Sequence, residues 1–374
     1  MESKRLYYID WLRALVILTL IPFHAALTYL RFGYVYIKAP VADLSALPFL
    51  IVTTPLGDFF MTLLFFVSGV ASFYSFQKRG GGRYIGERLQ KLMKPFLLGF
   101  LTICPVTAYL QALYEGYQGG FISFIPQFFF YKLFYYPAYA HLWFLLYLFV
   151  FSMMCVPLFR RWQRDESRLP SIGAFLSKGH RLLLPIGAII LLETFLRPFF
   201  DGKQMIVGDW ANDAVYLSVF IFGYVYAADE RIREGVKRYF KPSVFFGIIG
   251  LVGLFYANIM WQVLGLSDAY LSVVRAVSKG IYECAVIIFL LCMGQTHFNR
   301  GGNVIGYLTR ASFPVYLLHF LPVTFFTLLL VHSPMPNFLK FLLTCALSYI
   351  TVFLLYEAWR RVFALKAGVP LKES

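Results

Sequence analysis

The chain has 374 residues, of which 59% are hydrophobic and only 14% are charged. Soluble domains carry about 25% charged residues, so this composition excludes an ordinary water-soluble protein and indicates an integral membrane protein. A net charge of +15 would suit a nucleic-acid-binding protein, but Lys and Arg are concentrated in alternate loops between apolar stretches. That pattern is typical of cytoplasmic loops that contact the inner leaflet, so we expect a lipid bilayer and no nucleic acid as partner.

Long apolar runs set the fold class. Runs of about 18 or more residues predict an all-α, polytopic membrane protein with about ten transmembrane helices, in a single domain covering residues 1–374. The excess of Lys and Arg on one side predicts that both termini are cytoplasmic. The predicted spans lie near residues 9–30, 48–76, 95–114, 141–159, 182–200, 213–228, 243–261, 280–294, 311–331 and 339–359.

The first span carries polar side chains that a plain anchor would not need. Asp10 and Arg13 lie at its entry, and His24 lies deep inside, two residues after Pro22. Arg13 and His24 are eleven residues apart, close to three full helical turns at about 100° per residue, so both project from nearly the same face. This pattern favours a polar track leading to a buried base. The alternative gives each a separate structural role, with Arg13 reaching the inner interface and His24 bonding a neighbouring helix.

A basic segment follows the second span on the predicted cytoplasmic side. Arg88 and Lys91 are three residues apart, so on a helix they share a face, and Arg83 adds to the same patch. Grouped cations at a membrane surface suit the phosphates of a nucleotide-like cofactor. The alternative is positive-inside anchoring without any ligand.

Three further polar or aromatic residues lie near the predicted outer face. Asp58, near the outer end of the second span, either pairs with a polar residue there or sits in the interface. His141 and Trp143 open the fourth span; the alternative for them is an interfacial histidine beside an aromatic-belt tryptophan.

Within the fifth span, Glu193 and Arg197 are four residues apart, which predicts an internal ion pair.

The ninth span repeats the combination of a histidine and helix-breaking prolines. Ser312, Tyr316 and His319 are spaced by four and three residues, so they share one face, and prolines at 314 and 322 flank His319. Two buried histidines beside helix breaks suggest a water-accessible cavity. We expect no metal, because the five cysteines lie inside apolar stretches without metal-ligand spacing and no HExxH motif is present.

Together these residues resemble the acyltransferase-3 family of bacterial inner-membrane acyltransferases. The resemblance rests on Arg13 and His24 with ten residues between them, on the FFVSG stretch at 65–69, and on the basic segment that ends at Pro95. The family usually has Arg where this chain has Lys91. Within the family the chain is most similar to the glucans biosynthesis protein C group, through residues 21–24, 141–146, 311–319 and 355–357.

The resemblance implies an acyl-coenzyme A donor, carrying a succinyl or acetyl group, on the cytoplasmic side. It also implies a hydroxyl acceptor, usually on a glycan, at or beyond the outer face. We therefore expect a multi-pass O-acyltransferase of the bacterial inner membrane, with His24 as general base because a neutral imidazole suits proton abstraction near pH 7. Arg13, oriented by Asp10, would hold this track or meet the donor.

The remaining candidates divide between the donor and the acceptor. Arg83, Arg88 and Lys91 would bind the coenzyme A phosphates. Candidates for the acceptor side or the channel are Asp58, His141, Trp143, Ser312, Tyr316 and His319. The alternative function is a transporter or exporter of a glycan or lipid-linked intermediate, which many spans with midplane histidines would also fit.

Overall fold

The computed structural model describes residues 5–41, 43–132, 139–200, 202 and 204–367. These residues form helices and connecting turns and contain no β-strand, which confirms the all-α prediction. The helices are α1 (Tyr7–Leu27), α2 (Leu47–Gly57), α3 (Phe60–Arg88), α4 (Lys94–Tyr114), α5 (Phe121–Gln127), α6 (Trp143–Arg164), α7 (Arg168–Leu176), α8 (Leu183–Leu196), α9 (Trp210–Ala228), α10 (Glu230–Val236), α11 (Phe240–Gln262), α12 (Ala269–His297), α13 (Asn303–Leu318), α14 (Phe320–Val331) and α15 (Asn337–Ala367).

Several helices are long and apolar enough to cross a membrane. In the described part of the chain there are 7 such spans, or 8 if the bent pair α13 and α14 counts as one. The run Leu44–Tyr114 counts once but includes the predicted spans 48–76 and 95–114, and the predicted span 182–200 corresponds to the 14-residue α8. The polytopic membrane fold is therefore confirmed, while the total of ten and the cytoplasmic termini stay predictions.

The chain divides into two compact units, each assembled from separate segments. The first unit comprises Met1–Thr53, Gly99–Ala140 and Phe298–Ser374, and the second comprises Thr54–Leu98 and His141–His297. In the first unit, α1 packs against α13, α14 and α15. In the second unit, α3 packs against α6 and α9, and α12 packs against α8 and α11.

Close helix packing in the second unit depends on two glycines. A Cβ atom added at Gly69 on α3 would collide with the carbonyl oxygen of Phe220, and one added at Gly223 on α9 would collide with that of Phe66. The two backbones therefore touch directly, as small residues allow in membrane helix pairs. The glycine that ends the FFVSG stretch at 65–69 therefore serves close packing between α3 and α9.

Prolines shape the two helices that carry the histidines. Pro22 cannot donate a backbone hydrogen bond to the Leu18 carbonyl, yet α1 continues through it as one helix. The Tyr349 hydroxyl of α15 donates to that carbonyl instead, at 2.7 Å. Pro322 likewise cannot donate a backbone hydrogen bond to the Leu318 carbonyl. Here α13 ends, and the chain bends by 53° before α14. His319 is the single residue at this bend.

Candidate active site

Two histidines from distant parts of the sequence meet in the first unit. The ring centroids of His24 and His319 lie 5.4 Å apart, with an angle of 31° between the ring planes. Phe320 packs edge-on against His24, with 4.8 Å between centroids. His319 is fully buried and His24 is half-buried. The structure thus places the two histidines of the sequence prediction at one site.

The hydrogen bonding of His319 determines its neutral form. Its Nδ1 lies 2.7 Å from the carbonyl oxygen of Tyr316. A carbonyl oxygen can only accept, so Nδ1 carries the proton and the neutral ring keeps a lone pair on Nε2. Tyr316 is buried, with its ring centroid 6.1 Å from that of His319, and Ser312 donates to the Leu308 carbonyl of its own helix at 2.6 Å. Tyr316 therefore belongs to the histidine site, whereas the Ser312 hydroxyl proton is used within α13.

At the other end of α1, Asp10 holds two arginines. Arg13 donates to Asp10 Oδ1 at 3.0 Å, and Arg5 donates to Oδ2 at 2.9 and 2.8 Å. The contact expected between Asp10 and Arg13 is present. The contact from Arg5 was missed because Arg5 precedes the helix, where residue spacing carries no directional information. One carboxylate between two guanidinium groups leaves this end of α1 with net positive charge.

The basic segment does not form a single face. Arg88 is 9% exposed and donates to Ser72 Oγ at 2.9 Å, with its guanidinium 4.7 Å from the centroid of the Tyr84 ring. The Lys91 side chain is 66% exposed and bonds Glu87 at 2.6 Å. Lys91 lies within a π-helical turn, Leu89–Met93, whereas Arg88 is the last residue of α3. The expected shared face is wrong, because spacing rules assume an uninterrupted α-helix.

Two other cations contribute to the surface around this segment. Arg83 is exposed on the last turns of α3, after the chain bends at Gly80, whose φ of 70° favours glycine. Arg160 of α6 lies against the backbone at Gly81, because a Cβ added there would collide with its guanidinium. No local residue pattern indicates that α6 approaches this segment. The exposed positive charges of this surface thus come from Arg83, Lys91 and Arg160, whereas Arg88 is buried.

The three residues predicted near the outer face, Asp58, His141 and Trp143, are buried within the second unit. Asp58 is buried and accepts from Arg275 at 3.0 Å, so the pairing alternative is correct. Trp143 is buried, with its ring stacked on Tyr216 at a centroid distance of 6.1 Å, rather than placed in an interfacial belt. His141 is buried in the short turn Ala140–Leu142. Asp58 and Trp143 thus have partners within the second unit, and the acceptor-side role of all three residues stays a prediction.

The second unit also contains a buried network of charges. Glu193 and Arg197 form the expected ion pair, with two hydrogen bonds of 2.7 Å. Lys279 bridges Glu193 at 2.7 Å and Glu283 at 2.8 Å, and Thr62 donates to Glu283 at 2.7 Å. Both glutamates are 0% exposed. The network links α3, α8 and α12.

The predicted span at 280–294 begins too late. It leaves out Arg275 and Lys279, but α12 begins at Ala269 and includes both. Each cation is matched by a buried acid in the same unit, Lys279 by Glu193 and Glu283, Arg275 by Asp58. Paired charges can lie inside a helix at membrane depth, so they do not mark a loop. The four-residue spacing of Lys279 and Glu283 was the available signal.

A cavity within the second unit is lined by apolar side chains from several helices. Its lining includes Thr62, Phe66, Val219 and Cys284, but none of the predicted site residues. The water-accessible cavity expected beside the histidines stays a prediction. Among the described residues, no group of three or more His, Cys, Asp and Glu side chains is arranged to hold a metal ion.

With this geometry in view, comparison with known proteins identifies the family. Residues 6–357 match the family model of acyltransferase 3, which is described as an acyltransferase domain. The chain belongs to the acyltransferase-3 family. The matched region contains His24, His319 and the basic segment after α3.

Two relatives from enteric bacteria show the extent of the likeness within the acyltransferase-3 family. Glucans biosynthesis protein C of Escherichia coli K12 is 24% identical over 383 aligned residues, covering 99% of this chain and 96% of that protein. The protein of the same name from Salmonella schwarzengrund is 24% identical over 372 residues, covering 97% and 94%. No solved structure matches. The similarity therefore extends through both units.

Proposed function

We propose that this acyltransferase-3 protein moves a succinyl or acetyl group from cytoplasmic acyl-coenzyme A to a hydroxyl of an extracytoplasmic glycan, in the inner membrane of a bacterium. Membership in an acyltransferase family supports group transfer. The names of the relatives, glucans biosynthesis protein C, support a glycan acceptor. The observation that carries the proposal is the contact between His24 and His319.

His24 is the proposed general base. One of its ring nitrogens takes the proton of the acceptor hydroxyl as the hydroxyl oxygen attacks the thioester carbonyl carbon. The new C–O bond forms, the C–S bond breaks, and the departing thiolate takes up a proton. The products are an acyl ester and free coenzyme A. An imidazole is a common general base, because in its neutral form one ring nitrogen has a lone pair that can accept a proton.

His319 is the proposed positioning residue for His24. Its Nδ1–H is held by the Tyr316 carbonyl, so the ring has one orientation and a lone pair on Nε2. The contact between the two rings limits the orientations that His24 can take. The aromatic contact of Phe320 restricts the His24 ring as well.

The cationic groups fit a donor that carries phosphates. Arg83 and Lys91 are exposed, so they are proposed to meet the coenzyme A phosphates. Arg88 is buried, and its Nε has no hydrogen-bond acceptor among the described residues, so the anionic donor is proposed to supply one. Arg13, held by Asp10, is proposed to orient the acyl donor.

The test is acceptor-dependent release of coenzyme A by the purified protein in nanodiscs. Acetyl- and succinyl-coenzyme A are each offered with a panel of glucose oligomers, and the acylated product is identified by mass spectrometry. His297→Ala, at an exposed histidine, is the matched control for His24→Ala. We expect release with one donor that is lost only in His24→Ala. No release, together with no coenzyme A binding by calorimetry, would refute the transferase and leave the transporter as the better account.

A further inference from the structure

The segment that follows α1 folds back over the end of this helix and is held by many hydrogen bonds. The Lys38 ammonium donates to the carbonyls of Leu27, Leu30 and Phe32 at 3.0, 2.9 and 2.7 Å. The backbone N–H groups of Ala39 and Val41 donate to the carbonyls of residues 28 and 29. In addition, the hydroxyl of Tyr114 on α4 donates to the Lys38 carbonyl at 2.7 Å. The segment is therefore fixed at both ends of its turn, although it is not helical.

This fixed segment carries two tyrosines that continue to the histidine site. The Tyr34 and Tyr36 rings contact each other edge-to-face, with centroids 5.6 Å apart. Tyr36 contacts Phe320, also at 5.6 Å, and Phe320 contacts His24 at 4.8 Å. Tyr36 is buried, whereas Tyr34 is half-exposed. A continuous line of rings thus leads from the accessible surface of the first unit to the proposed base.

The chemistry of this line suits a sugar chain. A pyranose ring presents C–H groups on its faces and hydroxyls around its rim. Tyrosine matches both, since its ring offers an apolar face and its hydroxyl offers a hydrogen-bond partner. Because the segment is already ordered, binding there avoids the cost of ordering a loop. The neutral rings carry no charge that would select a charged acceptor.

We infer that Tyr34 and Tyr36 form the acceptor platform of the enzyme, on which a neutral glycan packs so that one of its hydroxyls reaches His24. This inference rests on the proposed function, because it names the binding surface for that reaction. Tyr34 makes the sugar contact. Tyr36 packs against Tyr34 on one side and against Phe320 on the other. Because Phe320 also contacts His24, these contacts hold Tyr34 in a fixed position relative to the base.

The first test measures glycan binding without any acyl transfer. Binding of maltohexaose and laminarihexaose to the purified protein is measured by calorimetry for wild type, Tyr34→Ala, Tyr34→Phe and Tyr34→Trp. Tyr270→Ala, at a tyrosine that is 64% exposed, is the control for loss of a surface ring. We expect Tyr34→Ala to weaken binding of at least one oligomer about three- to tenfold, the range for one aromatic contact. The Phe and Trp variants keep an aromatic ring but lose the hydroxyl, so they should weaken binding less than Tyr34→Ala, while the control stays within about twofold of wild type.

The second test separates this inference from the reaction itself. In the coenzyme A release assay, Tyr34→Ala should raise the acceptor KM by the same factor and leave the donor KM unchanged. Wild type that binds glycan through Tyr34 but transfers no acyl group would refute the proposed reaction and keep the platform. Equal binding by wild type and Tyr34→Ala, or no binding of either oligomer by wild type, would overturn the platform, whatever the transfer assay shows. Such a result would identify Tyr34 as an interfacial anchor.

Discussion

Lys279 offers a sharp test of the buried charges in the second unit. Its ammonium lies between Glu193 and Glu283, at 2.7 and 2.8 Å, and its side chain is only 9% exposed. Replacing it in Lys279→Met keeps the length of the side chain and removes the charge. Arg197 then has to balance two buried carboxylates. We expect a large loss of stability, since a buried charge without a partner is costly.

The size of this loss has an upper bound. One of the two carboxyl groups can take up a proton, which removes the unbalanced negative charge. For an ordinary glutamate with pKa about 4.3, this protonation costs about 3.7 kcal/mol at pH 7. Breaking a buried ion pair in proteins costs roughly 3–5 kcal/mol, which is similar. Because protonation becomes easier in acid, the loss of stability in Lys279→Met should decrease by about 2 kcal/mol between pH 7 and pH 5.5. Adding Glu283→Gln should recover most of it at pH 7.

Thermal unfolding in detergent can follow these variants with a thiol-reactive dye. Four of the five cysteines are buried, so the dye reports unfolding. A loss of 3 to 4 kcal/mol corresponds to a Tm decrease of several degrees or more, at roughly 2–4 °C per kcal/mol for domains of 150–250 residues. Lys241→Met, at an exposed lysine, is the control. A Tm for Lys279→Met equal to that of the control, or no recovery in the double variant, would refute this reasoning.

Three further predictions concern the first unit. Tyr349→Phe removes the hydroxyl that donates to the Leu18 carbonyl beside Pro22, so it should cost about 1 kcal/mol of stability, measured as a Tm decrease; an unchanged Tm would contradict the role of this bond. Lys38→Met removes three hydrogen bonds and should lower both Tm and glycan affinity, whereas an effect on neither would show that the turn is not fixed by Lys38. His319→Gln should lower kcat about tenfold or more and leave the KM for acyl-coenzyme A unchanged, because the ring that positions His24 is lost; a kcat at the wild-type level would contradict this role.

The sequence predicts well those features that depend on local spacing. Glu193 and Arg197 pair as their four-residue separation requires, and Asp10 contacts Arg13 within one helical turn. The apolar runs predict the helical membrane fold. These predictions succeed because a helix fixes the relative directions of residues three or four apart.

Other features depend on long-range packing and could not be read from the sequence. His24 and His319 are almost three hundred residues apart in the chain, so only the tertiary fold shows that they meet. The π-helical turn after Arg88 changes the direction of Lys91, and local residue types give no clear sign of it. Lys279 resembled a loop residue because its partner Glu193 lies on another helix. In each case a contact between helices decides the outcome.

The rate at which His24→Ala transfers an acyl group to a glycan decides whether His24 is the base of this reaction. The acylated glycan is quantified by mass spectrometry, with wild type and His297→Ala in parallel and the Tm of each protein recorded. We expect a loss of about a hundredfold or more for His24→Ala at an unchanged Tm, because a general base contributes typically 10²–10⁴-fold. Transfer by His24→Ala at the wild-type rate would contradict the assignment of His24 as the base.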